Sequence, residues 1–366
     1  MHYYVFLRLA RTDDLPAPFP LVVAVLLATL GLSIFPAFAR ALPKRALAIL
    51  EEVSFTWIGV LLLFDAVLFA GDLVRFGLVA VLPAHLATPE LLLDASRAQA
   101  LGAVVVVFVL SVVAWRSAHR DPPVVEVPVE IERWPRELSG FRIVQLSDIH
   151  VSAASRPEAM QHLVERVNDL TPDLIVLTGD LVDGPPSLIE SAVVPFGGLS
   201  ARLGVYFVTG NHELYAGFEA WANKLARLGL RVLENERVTV RDKGAAFELA
   251  GVPDWTAGRL APGQRPRLSE ALQGRDARTP VILLAHNPRQ FAEAARLGVS
   301  LQLSGHTHGG QLWPFTLVVR LVERYLAGLH RLGASQLYVS RGTRYWGPPM
   351  RLCAPHELTV LRLETA

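Results

Sequence analysis

Five short polar motifs each follow an apolar run, which places each at the predicted end of a strand. Side chains at i and i+2 of an extended segment point the same way, so Asp148 with His150, and His306 with His308, are each expected to offer two ligands to one locus. Glycines beside the motifs allow tight turns and close backbone approach. The motifs are Asp148-Ile149-His150, Gly179-Asp180-Leu181-Val182-Asp183, Gly210-Asn211-His212-Glu213, His286-Asn287-Pro288 and Gly305-His306-Thr307-His308-Gly309-Gly310.

The donor atoms in these motifs predict a metal centre. Carboxylate and imidazole suit Mn, Fe or Zn, and the absence of cysteine ligands argues against a closed structural zinc site. Seven donors exceed what one ion needs but serve two ions that share a carboxylate, the clamp used for in-line displacement at phosphorus. A single motif could be an ordinary satisfied polar residue, whereas the joint pattern favours a dinuclear site. The donors are Asp148, His150, Asp180, Asn211, His286, His306 and His308.

The elements that must position these donors alternate between short apolar runs and amphipathic segments. This pattern predicts a layered α/β domain whose strands are covered by helices on both faces. The proline-rich stretch before it, residues 121–140, is expected to be a stiff linker or an edge strand. The predicted strands are 141–146, 174–177, 204–208, 238–240, 246–250, 280–285, 300–303, 336–339 and 358–363, and the predicted helices include 157–170 and 217–228.

The N-terminal third is apolar enough to cross a membrane. Apolar residues make up 51% of the chain and charged residues 19%, and the mean hydropathy is +0.34. The excess is concentrated in three blocks, at residues 15–39, 53–82 and 98–115. Buried helices of a soluble protein are the alternative, but three such blocks predict a membrane module of about three spans at residues 1–120. A cleaved signal peptide fits poorly.

Charged residues near these blocks carry weaker signals. Asp65 would lie within a span, either as a functional acid or facing another helix or protonated, and Asp72 can pair with Arg75. The positive-inside rule favours a cytoplasmic catalytic domain by five basic residues against four. The side with five carries Arg40, Lys44, Arg45, Arg116 and Arg120, and the other side carries Arg8, Arg11, Arg75 and Arg97.

The overall charge balance limits the classes of partner. With 35 basic and 34 acidic residues, the chain has no large field to attract nucleic acid. One cysteine excludes a disulfide scaffold. The expected partners are therefore the lipid bilayer and a phosphoester substrate, and no obligate protein partner is indicated.

The motif order resembles the calcineurin-like metallophosphoesterase family: Asp-x-His, Gly-Asp-x-x-Asp, Gly-Asn-His-Glu, His and Gly-His-x-His. The strings GHTHGGQ (305–311) and YVSRGTRYWGPPMRL (338–352) resemble its bacterial membrane-associated phosphodiesterase-like branch. The resemblance covers residues 141–365. It implies a β-sandwich core flanked by helices, in the order α-β-β-α, and a catalytic domain at residues 141–366 of a bacterial membrane protein.

The resemblance also implies a role for each motif residue. A metal-bound hydroxide would be the nucleophile, and the two divalent ions would be Mn, with Fe or Zn as alternatives. His212 matches the histidine that faces the phosphate and assists the leaving oxygen, although a hydrogen bond to a ligand is its alternative role. Asp183 and Glu213 would orient the ligands. Asp148, His150 and His308 would hold the first ion, Asn211, His286 and His306 the second, and Asp180 would bridge them.

These observations together predict a membrane-anchored, metal-dependent hydrolase of phosphodiester or pyrophosphate bonds. Tethering to a membrane favours a lipid or lipid-linked substrate, and a nucleotide-linked acylated sugar is one substrate known within the branch. Two alternatives stay open: a non-catalytic membrane sensor or scaffold that keeps the fold, and a transporter or channel subunit with a hydrolytic accessory domain. The apolar segment 312–332 is either an amphipathic element in the lipid headgroups or a helix packed on the domain.

Overall fold

A computed structural model describes residues 1–10, 18–33, 42–81, 83, 88–260 and 263–366. These residues form two compact units. The helical unit contains Met1–Arg120 together with two short later segments, Leu312–Phe315 and Gly347–Cys353. The second unit, which carries the five motifs, contains Asp121–Gln311, Thr316–Trp346 and Ala354–Ala366.

Two helices of the helical unit are long and apolar enough to cross a membrane. These are α3 and α4, of 38 and 31 residues. The helix α2 is apolar and comprises 15 of the described residues, and the predicted block 15–39 extends on both sides of it beyond the described residues. Position 82, where the second block ends, is also outside them. The four helices are α1 (His2–Leu9), α2 (Pro18–Leu32), α3 (Lys44–Val81) and α4 (Pro89–His119).

A polar network around Asp72 connects three of these helices. On α1, Tyr4 donates a hydrogen bond of 2.6 Å to the Asp72 carboxylate, and Arg8 pairs with it at 2.6 Å. On α4, Gln99 donates to the same carboxylate at 2.9 Å. The expected pair with Arg75 is present at 3.5 Å. A carboxylate among apolar helices is costly unless it is satisfied in this way.

The two later segments of the helical unit pack against the spanning helices. Leu312 is buried in an apolar cluster with Leu63 of α3 and with Val107 and Ala114 of α4. The backbone N–H of Arg351 donates to the carbonyl of Ala114 at 2.9 Å. The helical unit therefore includes chain that lies, in sequence, next to the motifs.

The second unit contains two sheets of six strands. The first sheet has the order β1-β12-β2-β3-β4-β5, and the second has the order β10-β11-β9-β8-β7-β6. Each sheet contains a run of four parallel strands: β2 to β5 in the first, and β7, β8, β9 and β11 in the second. The first sheet also contains the parallel pair β1 and β12. The strands are β1 (Val124–Ile131), β2 (Phe141–Leu146), β3 (Leu174–Thr178), β4 (Val205–Val208), β5 (Arg231–Val232), β6 (Glu236–Asp242), β7 (Ala245–Gly251), β8 (Val281–Leu284), β9 (Leu301–Ser304), β10 (Gly328–Leu332), β11 (Ser335–Val339) and β12 (Leu358–Thr365).

Alternating side chains build the layers of this unit. On β2, Ile143 faces the other sheet, where it joins Leu284 of β8 in one cluster. Val144 faces the opposite way and packs in a cluster with Met160 and Trp221, which lie on helices of this same unit. This period of two follows from strand geometry. A third cluster covers the outer face of the second sheet, so the predicted α-β-β-α sandwich is confirmed. Its helices are α5 (Pro157–Asp169), α6 (Pro186–Val193), α7 (Asn211–Ala216), α8 (Phe218–Arg227), α9 (Ala257–Leu260), α10 (Leu268–Ala271), α11 (Phe291–Arg296) and α12 (Phe315–Val322).

The segments 121–140 and 312–332, which each had two possible interpretations, have defined structures. Within the proline-rich stretch, β1 is an edge strand paired in parallel with β12, and Pro128 is tolerated because an edge strand does not need every N–H. The segment 312–332 forms α12 and the strand β10. None of the eight residues of α12 is buried, which does not fit a helix packed on the domain.

Candidate metal centre

All five motifs lie at the carboxyl ends of parallel strands, as predicted. Three follow β2, β3 and β4 of the first sheet, and two follow β8 and β9 of the second. The edge at which parallel strands end is where open α/β sheets place their sites. Because both sheets contribute, donors far apart in sequence meet at one locus.

The backbone at the donors differs from the extended segments that we expected. Five of the seven donors have positive φ, between 51° and 72°. A non-glycine residue in this region costs about 1–2 kcal/mol, and such strain is typical of functional sites. The i and i+2 argument is therefore wrong about the backbone, and only one of its two pairs shares a group of donors: Asp148 and His150 do, whereas His306 and His308 belong to different groups. The five are Asp148, His150, Asp180, His306 and His308.

Glycine is required where the motifs approach one another. A Cβ atom on Gly210 would overlap the carboxylate of Asp180, and one on Gly305 would overlap Ser147 and the carboxylate of Asp148. The predicted close approach of the backbone is thus present at both positions.

One group of donors consists of Asp148, His150 and His308, whose ligand atoms lie within 4.8 Å of one another. The Nε2 atoms of the two histidines are 3.1 Å apart, and that of His308 is 3.3 Å from Asp148 Oδ1. Asp148 also accepts a hydrogen bond of 2.5 Å from the hydroxyl of Ser147 and one of 2.9 Å from the backbone N–H of His306. All three donors are buried.

A second group consists of Asp180, His286 and His306, again within 4.8 Å. His286 Nε2 lies 3.1 Å from Asp180 Oδ2 and 3.2 Å from His306 Nδ1. Asp180 Oδ2 also lies 3.8 Å from His150 Nε2 of the first group. Asp180 thus belongs to the second group and also lies close to His150 of the first.

Hydrogen bonds on the far side of the imidazole rings fix which nitrogen faces the centre. His286 Nδ1 donates to the carbonyl of Thr178 at 2.7 Å, and His150 Nδ1 lies 2.7 Å from Asp183 Oδ1. Each contact holds the proton on Nδ1 and turns the lone pair of Nε2 toward the other donors. This arrangement is typical of metal-binding histidines.

His212 shares Asp183 with His150. Its Nδ1 is 2.8 Å from Asp183 Oδ1, and its backbone N–H donates to Asp180 at 2.9 Å. Burial disfavours the charged ring, but the hydrogen bond to Asp183 and the charges of Asp180 and Asp183 raise the pKa of His212 to about 9. These contacts favour the protonated ring, which remains partly exposed.

Glu213 holds the loop that follows β3 through hydrogen bonds to the backbone of that loop. Its carboxylate accepts from the N–H groups of Asp180 at 3.0 Å, Leu181 at 2.7 Å, Val182 at 3.2 Å and Gly210 at 2.7 Å. Burial and the nearby charge of Asp180 raise the pKa of Glu213, whereas the hydrogen bonds from the N–H groups of Gly210 and Asp180 oppose that rise. The residue predicted to orient ligands thus contacts the backbone that carries the Asp180 carboxylate.

Replacing Glu213 by Gln is expected to lower the melting temperature by roughly 4–8 °C, because each carboxylate oxygen accepts two N–H groups and an amide NH₂ can accept none. Activity should fall with it, since the loop carrying Asp180 loses its support. Glu219→Gln, at an exposed position of α8, is the matched control. Equal melting curves for both variants and the parent would contradict this positioning role.

Three residues near the centre were not predicted. Asp254, three positions beyond β7, is buried, and its Oδ2 has no hydrogen-bond partner among the described residues. Asp254 could have been predicted, because it is an acidic residue that comes shortly after a predicted strand. Trp346 and Tyr215 are 47% and 64% exposed, and their ring centroids lie 5.8 Å and 5.5 Å from that of His212. Exposed aromatic rings have no comparable signal in a single sequence.

The donors fit two divalent cations. The buried Oδ1 of Asn211 has no hydrogen-bond partner in the described structure. The Nε2 atoms of His150 and His308 lie 3.1 Å apart, close enough for both to bind one cation. Oxygen and imidazole donors without thiolate suit Mn, Fe or Zn.

Addition of Mn²⁺ to the metal-stripped full-length protein is expected to raise its melting temperature by roughly 5–10 °C at a hundredfold excess over the dissociation constant. Binding to the folded state alone stabilises it, and a cation offsets the crowding of imidazole and carboxylate groups. His306→Ala should reduce the shift, and His162→Ala, an exposed histidine, should not. No shift with Mn²⁺, Fe²⁺ or Zn²⁺ would refute the proposed centre.

Comparisons with known proteins agree with this architecture. Residues 141–310 match the family model described as calcineurin-like phosphoesterase. The chain is 37% identical over 327 residues to a transmembrane protein with metallophosphoesterase domain from Danio rerio, covering 87% of this chain and 74% of that protein. It is 41% identical over 288 residues to the protein of the same name from Bos taurus, covering 75% of this chain and 65% of that protein.

The chain is also similar in sequence to a bacterial metallophosphoesterase. The chain is 37% identical over 254 residues to an uncharacterized metallophosphoesterase from Helicobacter pylori, covering 68% of this chain and 66% of that protein. Relatives of this identity and coverage establish the family, and the family uses a dinuclear metal site. The chain belongs to the calcineurin-like metallophosphoesterase family and is a metal-dependent phosphohydrolase.

Proposed function

We propose that this protein is a membrane-anchored phosphohydrolase that cleaves phosphodiester or pyrophosphate bonds of a lipid or lipid-linked substrate. Residues 1–120 are the membrane module, residues 121–140 join it to the rest, and residues 141–366 are the catalytic domain. The membrane anchor is supported by the two span-length helices and by the names of the vertebrate relatives.

The observation that carries the proposal is the position of Asp180 between two groups of donors, beside His212. We assign Asp148, His150 and His308 to one ion, Asn211, His286 and His306 to the other, and Asp180 to both. The donors suit Mn, with Fe and Zn as alternatives. When bound, two such ions neutralise charge on the phosphoryl group and lower the pKa of water.

The chain's own residues then orient the substrate and move a proton. Asp183 holds Nδ1 of His212 at 2.8 Å, so the opposite edge of the ring is left to face the substrate. The hydrogen bond to Asp183 favours a proton on His212, which would be donated to the leaving oxygen. Trp346 and Tyr215 flank His212 and would contact the group that departs.

The activity is tested with full-length protein in nanodiscs, using bis(p-nitrophenyl) phosphate with Mn²⁺, Fe²⁺ or Zn²⁺. The full chain is needed because Leu312 and Met350 are buried in the helical unit. Parallel assays with p-nitrophenyl phosphate and with a pyrophosphate diester separate the bond classes. Absence of turnover with every substrate at full metal loading would contradict the proposal and favour a binding role.

The lipid link and the membrane side need separate tests. Turnover of a phospholipid-like substrate should exceed that of its soluble headgroup analogue, and equal rates would remove the reason to invoke the membrane.

We place the catalytic domain on the cytoplasmic face of a bacterial cell membrane. A C-terminal green fluorescent protein fusion should then fluoresce, whereas an active C-terminal alkaline phosphatase fusion would reverse that orientation.

A further inference from the structure

The helix α12 presents an apolar face that no described residue covers. Leu317, Val318, Leu321 and Val322 are all exposed, and the exposed fraction reaches 87% for Leu321. Their spacing places them on one side of the helix. Single exposed apolar side chains are ordinary on soluble proteins, but a contiguous patch of four marks an interaction surface.

We infer that this face of α12 inserts into the lipid bilayer as an interfacial helix. The first supporting observation is where α12 begins. Its first residue, Phe315, belongs to the helical unit, three positions after Leu312, which is buried in one apolar cluster with Val107 and Ala114 of α4.

Backbone hydrogen bonds link the residues before α12 to Ala114: the N–H of Arg351 donates to the carbonyl of Ala114 at 2.9 Å, and the N–H of Trp313 donates to the carbonyl of Leu352 at 3.1 Å. Ala114 lies two residues before Arg116, at the end of the apolar stretch of α4 and hence near the headgroups. Trp313, between Leu312 and α12, is exposed, as tryptophan commonly is at a membrane interface. The helix therefore starts at the level of the interface.

The charges of α12 and its flank match an anionic lipid surface. The exposed charged side chains here are Arg320 and Arg324. The acid between them, Glu323, is largely buried and forms an ion pair of 2.7 Å with Arg289. Exposed cations beside an apolar face are characteristic of helices that lie in the headgroup region.

This inference leads to a consequence for the candidate metal centre, which rests on the proposed function. His308 precedes Phe315 by seven residues, so the loop with this donor continues directly into α12. A bilayer-bound α12 would hold that loop near the headgroups, where the phosphate of a lipid lies. The substrate class favoured by α12 is thus a phosphoester whose phosphate stays at the membrane surface.

The test uses a nitroxide spin label and needs no turnover, so its failure is distinct from failure of the proposed function. In the full-length protein, Cys353→Ser removes the native thiol, and Leu321→Cys or Val322→Cys carries the label. Val194→Cys, also exposed but beside α6, is the matched control. The labelled proteins are placed in nanodiscs of phosphatidylcholine with or without phosphatidylglycerol.

We expect the nitroxide at position 321 or 322 to collide more often with apolar oxygen than with water-soluble nickel–EDDA. We expect the nitroxide at position 194 to collide more often with nickel–EDDA. Phosphatidylglycerol should increase the difference, and Arg320→Gln with Arg324→Gln should remove that increase. Nickel collisions at 321 and 322 as frequent as at 194 would overturn the inference. So would spin–spin broadening that disappears on dilution with unlabelled protein, because it would assign the face to a second copy.

Discussion

Replacing Asp180 by Asn is expected to lower turnover of bis(p-nitrophenyl) phosphate by about 10³-fold or more, a loss at least as large as that of one transition-state contact. Asp180 Oδ2 lies 3.1 Å from His286 Nε2 and 3.8 Å from His150 Nε2. An amide NH₂ at that position would point a donor at the cations. The isosteric change keeps the Oδ1 acceptor for the N–H of His212, so the fold should persist.

Two measurements separate loss of the centre from loss of the fold. The Mn²⁺-induced rise in melting temperature should shrink in Asp180→Asn, while the melting temperature without metal should not fall. Asp276→Asn, an exposed carboxylate paired with Arg278, is the matched control. If Asp180→Asn retained the parent kcat/KM at saturating metal, Asp180 would not be the shared carboxylate.

The central strands were predictable because each is buried on both faces. Residues 141–146 were predicted and are observed as β2, since a parallel strand in a sandwich reads as a continuous apolar run. The strands β5 and β10 were not predicted. The strand β5 has two residues, and β10 is an edge strand with an exposed and polar pattern, so neither carries a burial signal.

The donors of the candidate centre could be predicted from their residue types and their positions at strand ends. Their backbone geometry could not be predicted. Positive φ at Asp148 and His150 depends on contacts with residues distant in sequence, such as the approach of Gly305 to Asp148. Such conformations are imposed by tertiary structure against local preference. The same holds for Trp346, whose place beside His212 follows from the fold of a loop.

Replacing His212 by Asn is expected to lower kcat by about 10²–10⁴-fold for diesters with poor leaving groups. A proton held on His212 by its hydrogen bond to Asp183 is needed most when the departing oxygen is strongly basic. For a good leaving group such as p-nitrophenolate the loss should be smaller. The Mn²⁺-induced rise in melting temperature should persist, in contrast to Asp180→Asn.

A series of aryl diesters with leaving phenols of increasing pKa distinguishes the two roles open to His212. Loss of a proton donor steepens the dependence of log kcat on leaving-group pKa, whereas loss of a hydrogen bond that only orients a neighbouring ligand lowers every rate by one factor. Asp183→Asn should also steepen the slope, because Asp183 holds Nδ1 of His212 at 2.8 Å and keeps the ring protonated. His162→Asn, at an exposed position, should leave the series unchanged. Parallel lines for parent and His212→Asn would assign His212 to ligand orientation and leave the leaving oxygen to solvent.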